Sequence, residues 1–365
     1  MKKSVFITGV TGLIGSYLLK ELSQKKNIEQ IFLLCRKKAE DNGIERLKTH
    51  FKEYNLGNVD ETKISFIDGD VSKPQLGMNP TDYEKICVEV DVIHHLAAWV
   101  NHVKSYDILK ATNVDSVSEI IKIADLKKKK IINFYSTLGS AARKDSNGKY
   151  IDDFPKQEEL ITDMGYLISK WKSEQILSEY HENGGKTNIF RLGYISGDST
   201  SGIGMYDKNQ FMLFIKSCIQ LQAAPFLKRK INLTPVDFTA KIVALDLFMN
   251  ESGHVFNLYN CFDLITWDEI IKWLNTRGYN IEQKDFYEWQ KLLLENKDSN
   301  ALKPLLSLYG VEGSHDKIVR FGREIDSFRH EKIEKIAAKY KLYPKAVKYE
   351  LLDTYLGYMK DCKFI

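Results

Sequence analysis

Continuous apolar, β-rich runs recur through the first half of the chain, at 4–8, 30–35, 63–67, 91–96, 131–136 and 187–192. Between them the apolar positions change to helical spacing, most clearly at 13–25, 106–126 and 165–182. Strands that read as unbroken apolar runs are buried on both faces. Each crossover must then pass over the sheet as a helix, so the pattern predicts an α/β fold with a doubly wound parallel sheet.

The rhythm changes after residue 197. A Ser/Gly/Thr loop at 198–204 leads to an apolar helix near 211–221, and the segments 231–237 and 254–258 read as a return to the sheet. From 266 onward the pattern is mostly helical. Thr266-Trp-Asp-Glu269 has the spacing of a capping box and predicts a helix over 267–277, closed by Gly278. Helical spacing recurs at 286–295, 330–340 and 346–360. The expected organisation is a sheet domain over 1–197, rejoined by 231–262, and a smaller, mainly helical domain from 198–230 and 263–365. No internal repeat is visible.

Composition excludes several classes. The chain has 365 residues with 53 basic and 49 acidic side chains, a net charge of +4, which is no nucleic-acid signature. The lysines at 127–130 read as a solvated helix end, and Asp152, Asp153, Glu158 and Glu159 as solvated charges. The five cysteines (Cys35, Cys87, Cys218, Cys261, Cys362) show neither CxxC nor metal spacing and read as free thiols. His94 and His95 sit in an apolar run and read as core histidines, so no metal is expected. The start of the chain lacks the uninterrupted apolar stretch and cleavage site of a signal peptide, and no run is long enough to span a membrane. A cytoplasmic location is expected.

The chemistry begins at Thr8-Gly9-Val10-Thr11-Gly12-Leu13-Ile14-Gly15, which directly follows the first strand and opens a helix. Its glycines allow a tight turn, close approach of the backbone to a pyrophosphate, and close helix–strand packing, while the helix N-terminus offers amide donors. The implied ligand is a dinucleotide and the sheet is Rossmann-type. The second strand ends Leu34-Cys35-Arg36-Lys37-Lys38, with no carboxylate for a ribose 2′-hydroxyl. Arg36, with Lys37 or Lys38, suits a 2′-phosphate instead, which points to NADPH.

Tyr-x-x-x-Lys occurs three times, at Tyr106/Lys110, Tyr166/Lys170 and Tyr287/Lys291. Positions i and i+4 share a helix face, where an ammonium can lower the pKa of a phenol. Position selects Tyr166/Lys170: it opens the helix that follows the fifth strand, whose carboxyl end carries Ser136 and Thr137. Ligands in such sheets bind at the carboxyl ends of the strands.

Together these residues resemble the extended short-chain dehydrogenase/reductases, and within them the thioester reductase domains that end nonribosomal peptide synthetases and carboxylic acid reductases. The likeness covers about residues 4–290. It is carried by the Gly9/Gly12/Gly15 turn, Gly69-Asp70-Val71, His95-Leu96-Ala97-Ala98, Asn113-Val114, and above all Gly165-Tyr166-Leu-Ile-Ser169-Lys170-Trp171-Lys-Ser-Glu174. Arg191-Leu-Gly193-Tyr194-Ile195-Ser-Gly197, Cys218-Ile-Gln-Leu221 with Pro225, Pro235-Val236-Asp237 and Tyr287/Trp289 extend it. Two departures stand out: Leu192 replaces the usual proline, and Ser116-Val117 replaces the usual Gly-Thr.

The resemblance implies a catalytic triad of Thr137, Tyr166 and Lys170. It implies NADPH contacts from Thr8, Gly9, Thr11, Gly12, Leu13, Ile14, Gly15, Arg36, Asp70, Val71, Leu96, Ala97, Ala98, Asn113, Ser136, Tyr166, Lys170, Gly193 and Ile195. The implied reaction is hydride transfer to an acyl or peptidyl thioester on the phosphopantetheine of a carrier protein, or on coenzyme A, giving an aldehyde and then, where a second transfer follows, an alcohol. A free-standing monomer is expected, with the helical C-terminal part forming a substrate-binding lid around Trp267, Trp273, Tyr287 and Trp289. Two other readings compete. One is an extended-family epimerase or dehydrogenase acting on a nucleotide sugar or a hydroxysteroid-like carbonyl. The other is a cofactor-sensing protein that has lost catalysis, against which both Tyr166 and Lys170 are retained.

Overall fold

A computed structural model describes residues 2–36, 43–57, 59–156, 159–310, 324–345 and 349–365. The chain divides into two compact units. The first comprises Met1–Leu192, Val236–Leu258 and Arg329–Tyr343, and the second Gly193–Pro235, Tyr259–Phe328 and Pro344–Ile365. Residues 329–343 thus pack with the sheet, not with the helical part to which the sequence pattern assigned them.

The first unit is built on β1 (Lys3–Thr8), α1 (Leu13–Ser23), β2 (Ile28–Cys35), α2 (Gly43–Glu53), β3 (Ile64–Asp68), α3 (Pro80–Glu89) and β4 (Val92–His95). It continues through α4 (Tyr106–Lys110), a π-helical turn Ala111–Asp115, α5 (Ser116–Asp125), β5 (Ile131–Thr137), α6 (Gly165–Glu182) and β6 (Lys186–Leu192). A last strand, His254–Leu258, completes a seven-stranded sheet in the order His254–Leu258, β6, β5, β4, β1, β2, β3, with every pairing parallel. The order reverses between β1 and β4, which is where such sheets bind ligands.

Both faces of the sheet are covered, as the unbroken apolar runs require. Phe6, Phe32, Ile93, Ile132, Phe134 and Ile189 lie in one core with Ile86, Ile120 and Leu177 of the helices. The expected strands and the helix over 165–182 appear where the pattern put them. The segment 231–237 does not join the sheet. Lys230–Ile231 pairs antiparallel with Ile265–Thr266, Thr234–Pro235 pairs with Ile195–Ser196, and Val236 already begins a helix. Pro235 has no N–H to offer a central ladder.

The lysine run and the acidic pair also need correction. Lys127 and Lys128 bind Glu84 and Asp91 at the surface, but Lys130 is wholly buried, its Nζ donating to the carbonyls of Leu126 and Lys128. Asp152 is buried as well, and burial raises its pKa. Asp153 pairs with Arg143, Glu159 is exposed, and Glu158 lies outside the described residues.

The second unit has an aromatic core. Trp267, Trp273 and Trp289 are buried in it, while Tyr287 is 61 % exposed. The helix Trp267–Thr276 starts with the expected capping box: Thr266 accepts from the Glu269 N–H, and the Glu269 carboxylate accepts from the Thr266 N–H. Among the described residues no helix is long and apolar enough to cross a membrane.

Candidate active site

The glycine turn between β1 and α1 is closed by its own backbone. Gly9 has φ +77°, and a Cβ there would stand 2.6 Å from the Ala97 nitrogen. A Cβ on Gly15 would stand 2.4 Å from the Gly9 carbonyl oxygen. Gly12 is different: a Cβ there would meet only the Gly9 oxygen, at 3.3 Å, and as N-cap it leaves the first turn of α1 without a side-chain cap. The turn is a cradle of amide donors at a helix N-terminus, the arrangement a pyrophosphate requires.

Thr8 ties the two strands that flank this turn. Its Oγ1 lies 2.8 Å from His95 Nδ1 and accepts from the Ala97 N–H, and its carbonyl accepts from the Leu96 N–H. Leu96, Ala97 and Ala98 are thereby drawn alongside the glycine turn. His95 Nε2 meets Ser116 Oγ at 3.1 Å, and His94 Nδ1 meets the Tyr135 hydroxyl at 2.7 Å. Both imidazoles are core groups that burial holds neutral, with pKa values pushed down to about 3.

At the end of β2, Arg36 is exposed and acts electrostatically on Asp70, whose carboxylate also accepts from the Ser72 N–H and hydroxyl. Lys37 and Lys38 lie outside the described residues. In their place the structure brings in Arg46 of α2, whose Nη2 donates to the Arg36 carbonyl oxygen at 2.5 Å. Nothing in the local sequence pairs these two arginines; only the fold of α2 back onto the end of β2 does. Two arginines at the carboxyl end of β2, where Leu34-Cys35-Arg36 offers no carboxylate, fit a 2′-phosphorylated dinucleotide.

Helix α6 carries Tyr166, Lys170 and Glu174 at successive i+4 positions, all buried. The helix can start where it does because Gly165 has no side chain: a Cβ there would stand 2.4 Å from the Tyr106 nitrogen. A row of serines docks it onto the π-helical turn. Ser173 donates to the Asn113 carbonyl, and the Asn113 amide donates to Ser169 Oγ at 2.9 Å. Asn113 also clasps the backbone N–H and C=O of Trp99. Its side chain is therefore engaged by protein groups.

Thr137 ends β5. Its Oγ1 accepts from the Gly139 N–H, and a Cβ on Gly139 would stand 2.6 Å from Leu167 of α6, so this turn and the helix are in close contact. The Lys170 ammonium lies 3.9 Å from the centroid of the Phe134 ring, one strand residue pair before Ser136. Burial lowers the pKa of Lys170 to about 7, opposed by the Glu174 carboxylate. Tyr166 does not show the lowered pKa that a lysine neighbour predicts. Burial raises it to about 12, because the buried phenolate is costly to desolvate. The Tyr166 hydroxyl is thus a proton-bearing donor at neutral pH. His102, which the sequence did not single out, packs edge-on against the Tyr166 ring at 5.5 Å.

The other two Tyr-x-x-x-Lys pairs sit in different settings. Lys110 is paired with Asp115, and Tyr287 is exposed. Gly193 and Ile195 belong to the second unit. Gly193 is walled in there by Asn232 and Tyr259, and Ile195 pairs with Thr234. The second unit also holds an aromatic-walled pocket, with Tyr194, Phe214, Trp267 and Tyr309 in its lining. Gln210 borders it and donates to the Tyr309 hydroxyl at 2.5 Å. Among the described residues no cluster of His, Cys, Asp or Glu could hold a metal ion.

A seven-stranded parallel sheet with a glycine cradle at its switch point and a Tyr/Lys helix beside the fifth strand defines an extended short-chain dehydrogenase/reductase. Residues 7–243 match the male sterility protein family of NAD-binding domains, and the chain belongs to that family. It is 30 % identical over 317 residues to a linear gramicidin synthase of Brevibacillus parabrevis, a match covering 84 % of this chain and 6 % of that protein. It is 27 % identical over 324 residues to L-2-aminoadipate reductase of Schizosaccharomyces pombe, covering 83 % of this chain and 23 % of the relative. The chain therefore spans less than a quarter of the length of either. The terminal R domain of the myxalamid PKS-NRPS biosynthetic pathway superposes with a TM-score of 0.88 at 25 % identity, covering 100 % of this chain and 92 % of that one. The architecture is that of a nicotinamide-dinucleotide-dependent reductase domain.

Proposed function

We propose that the chain reduces an acyl or peptidyl thioester, carried on the phosphopantetheine of a carrier protein or on coenzyme A, to an aldehyde, using NADPH. The observation that carries this reading is the buried Tyr166/Lys170 face of α6 in contact with the Thr137 turn at the carboxyl end of β5. A terminal R domain and an aminoadipate reductase among the similar proteins support thioester reduction over other carbonyl chemistry.

In this reading Thr137 and Tyr166 donate their hydroxyl protons to the thioester carbonyl oxygen and stabilise the charge that develops on it. Lys170 supports that charge from one helical turn away. NADPH, when bound, supplies the hydride. The glycine cradle at 9–15 would hold its pyrophosphate, and Arg36 with Arg46 its 2′-phosphate. Loss of the thiol from the tetrahedral centre then leaves the aldehyde. We assign substrate binding to the second unit, with its aromatic pocket, and expect the domain to act as a cytoplasmic monomer.

The test is a panel of carrier-protein and coenzyme A thioesters scored by NADPH oxidation, with the product identified as aldehyde or alcohol. Thioester-dependent oxidation with stoichiometric release of free thiol is expected. Turnover of nucleotide sugars or free ketones with every thioester inert would overturn the reading.

A further inference from the structure

Glu174 and Arg191 form an ion pair out of reach of solvent, with side chains 0 % and 1 % exposed. Arg191 Nε and Nη2 donate to Glu174 Oε2 at 2.9 and 2.7 Å. The guanidinium also donates to the carbonyls of Ile151 and Asp153. Glu174 Oε1 faces the opposite way, 2.5 Å from both Ser136 Oγ and Ser140 Oγ. Ser140 Oγ in turn stands 2.6 Å from the Thr137 carbonyl oxygen, with one proton to give to either acceptor. One carboxylate thus joins α6, the carboxyl end of β5 and β6.

A buried ion pair contributes little net stability compared with apolar side chains of the same volume, so stability is a poor account of its presence. What it touches is more informative. Ser136 and Ser140 bracket Thr137, and Lys170 stands one helical turn before Glu174. We infer that Glu174, held by Arg191, is a positioning residue of the site: it fixes the strand end bearing Thr137 against α6 and provides the counter-charge that keeps Lys170 an ammonium.

The surroundings of Lys170 leave this task to Glu174. From β4 it faces His95, which burial keeps neutral. From β5 it faces the uncharged ring of Phe134, and on its own helix Tyr166 stays protonated up to about pH 12. Glu174 is the one charge among the described residues that favours the ammonium form.

The inference rests on the catalytic roles proposed above, but its test does not need turnover. Lysine carrying ¹³C at Cε is titrated by NMR in the cofactor-free full chain, with the Lys170 resonance assigned by its loss in K170R. Compared are the parent, E174Q and E174Q/R191M. Both variants should lower the Lys170 midpoint by about one pH unit. E174Q should melt earlier because it strands Arg191, and the double variant should recover that loss, which separates charge from folding. On a thioester substrate E174Q should lower kcat on the order of 10-fold, with the KM for NADPH nearly unchanged. A Lys170 midpoint unmoved in the folded double variant overturns the inference. A midpoint that moves in a protein reducing no thioester supports it and counts instead against the proposed reaction.

Discussion

The Lys170 ammonium sits over the face of Phe134, 3.9 Å from the ring centroid, and this contact explains how a wholly buried lysine is tolerated one turn from Tyr166. The ring offers electron density without a hydrogen bond, so the charge is stabilised but not locked in a salt bridge. Burial nevertheless lowers the Lys170 pKa to about 7, against the favourable pull of Glu174.

Rate and stability should consequently respond to pH in opposite directions. The pKa of Lys170 is lowered to about 7 in the folded chain from 10.5 in the unfolded one. Between those values the unfolded chain binds the extra proton, so this group makes stability rise with pH and withholds that gain below about pH 7. The ammonium is the form we assign to catalysis, so kcat/KM for a thioester should fall as pH rises through about 7. Measuring kcat/KM from pH 5.5 to 9 checks this, with K170R as the control whose limb should move beyond the range. A flat profile in the parent would exclude the lysine from the rate-determining protonation state.

Tyr166→Phe removes one hydroxyl and leaves the ring against His102. Because the phenol is a donor that stays protonated to about 12, its loss should cut kcat by roughly 10²–10⁴-fold. Binding of NADPH, followed by quenching of intrinsic fluorescence, should be preserved. Undiminished turnover in Y166F would remove the residue from the mechanism.

Much of this site is legible in the sequence because its signals are local. A glycine turn after a strand and a Tyr/Lys pair at helical spacing each fall within one element and its connection. The rest depends on contacts between distant elements. Arg46 reaches Arg36 only because α2 folds back on β2, and its spacing to the strand carries no signature. Lys130 and Asp152 look solvated as letters, yet the fold buries them. Helix α6 is legible as a helix, but its buried face carries Ser, Lys and Glu beside Leu177, so the side that packs inward is not marked by an apolar stripe. Pro235 was a visible warning against a sheet strand at 231–237.

Arg36 and Arg46 should decide which dinucleotide the chain accepts. A hydrogen bond to a charged group contributes about 1.5–3 kcal/mol, so losing either guanidinium from a 2′-phosphate should weaken NADPH by roughly 10- to 100-fold. NADH, which lacks that phosphate, should bind R36A and R46A about as it binds the parent. Isothermal titration of both cofactors against each variant separates the two cases. Equal losses for NADPH and NADH would mean that the arginines support the cradle as a whole.

Gly15→Ala tests the cradle itself. The alanine methyl would stand 2.4 Å from the Gly9 carbonyl oxygen and 2.8 Å from Val10 Cα, both backbone atoms that cannot swing aside. The turn must therefore open or α1 must shift, and overpacking of this kind costs about 1–3 kcal/mol. Gly57→Ala is the matched control: it adds the same methyl where nothing lies within 4 Å, although its φ of +72° carries a conformational cost of its own. G15A should lower the melting temperature and abolish the stabilisation that NADPH gives the parent, whereas G57A should lower the melting temperature but keep that stabilisation. Scanning calorimetry with and without NADPH distinguishes them, and a G15A protein that is still stabilised by NADPH would show that the pyrophosphate is held elsewhere.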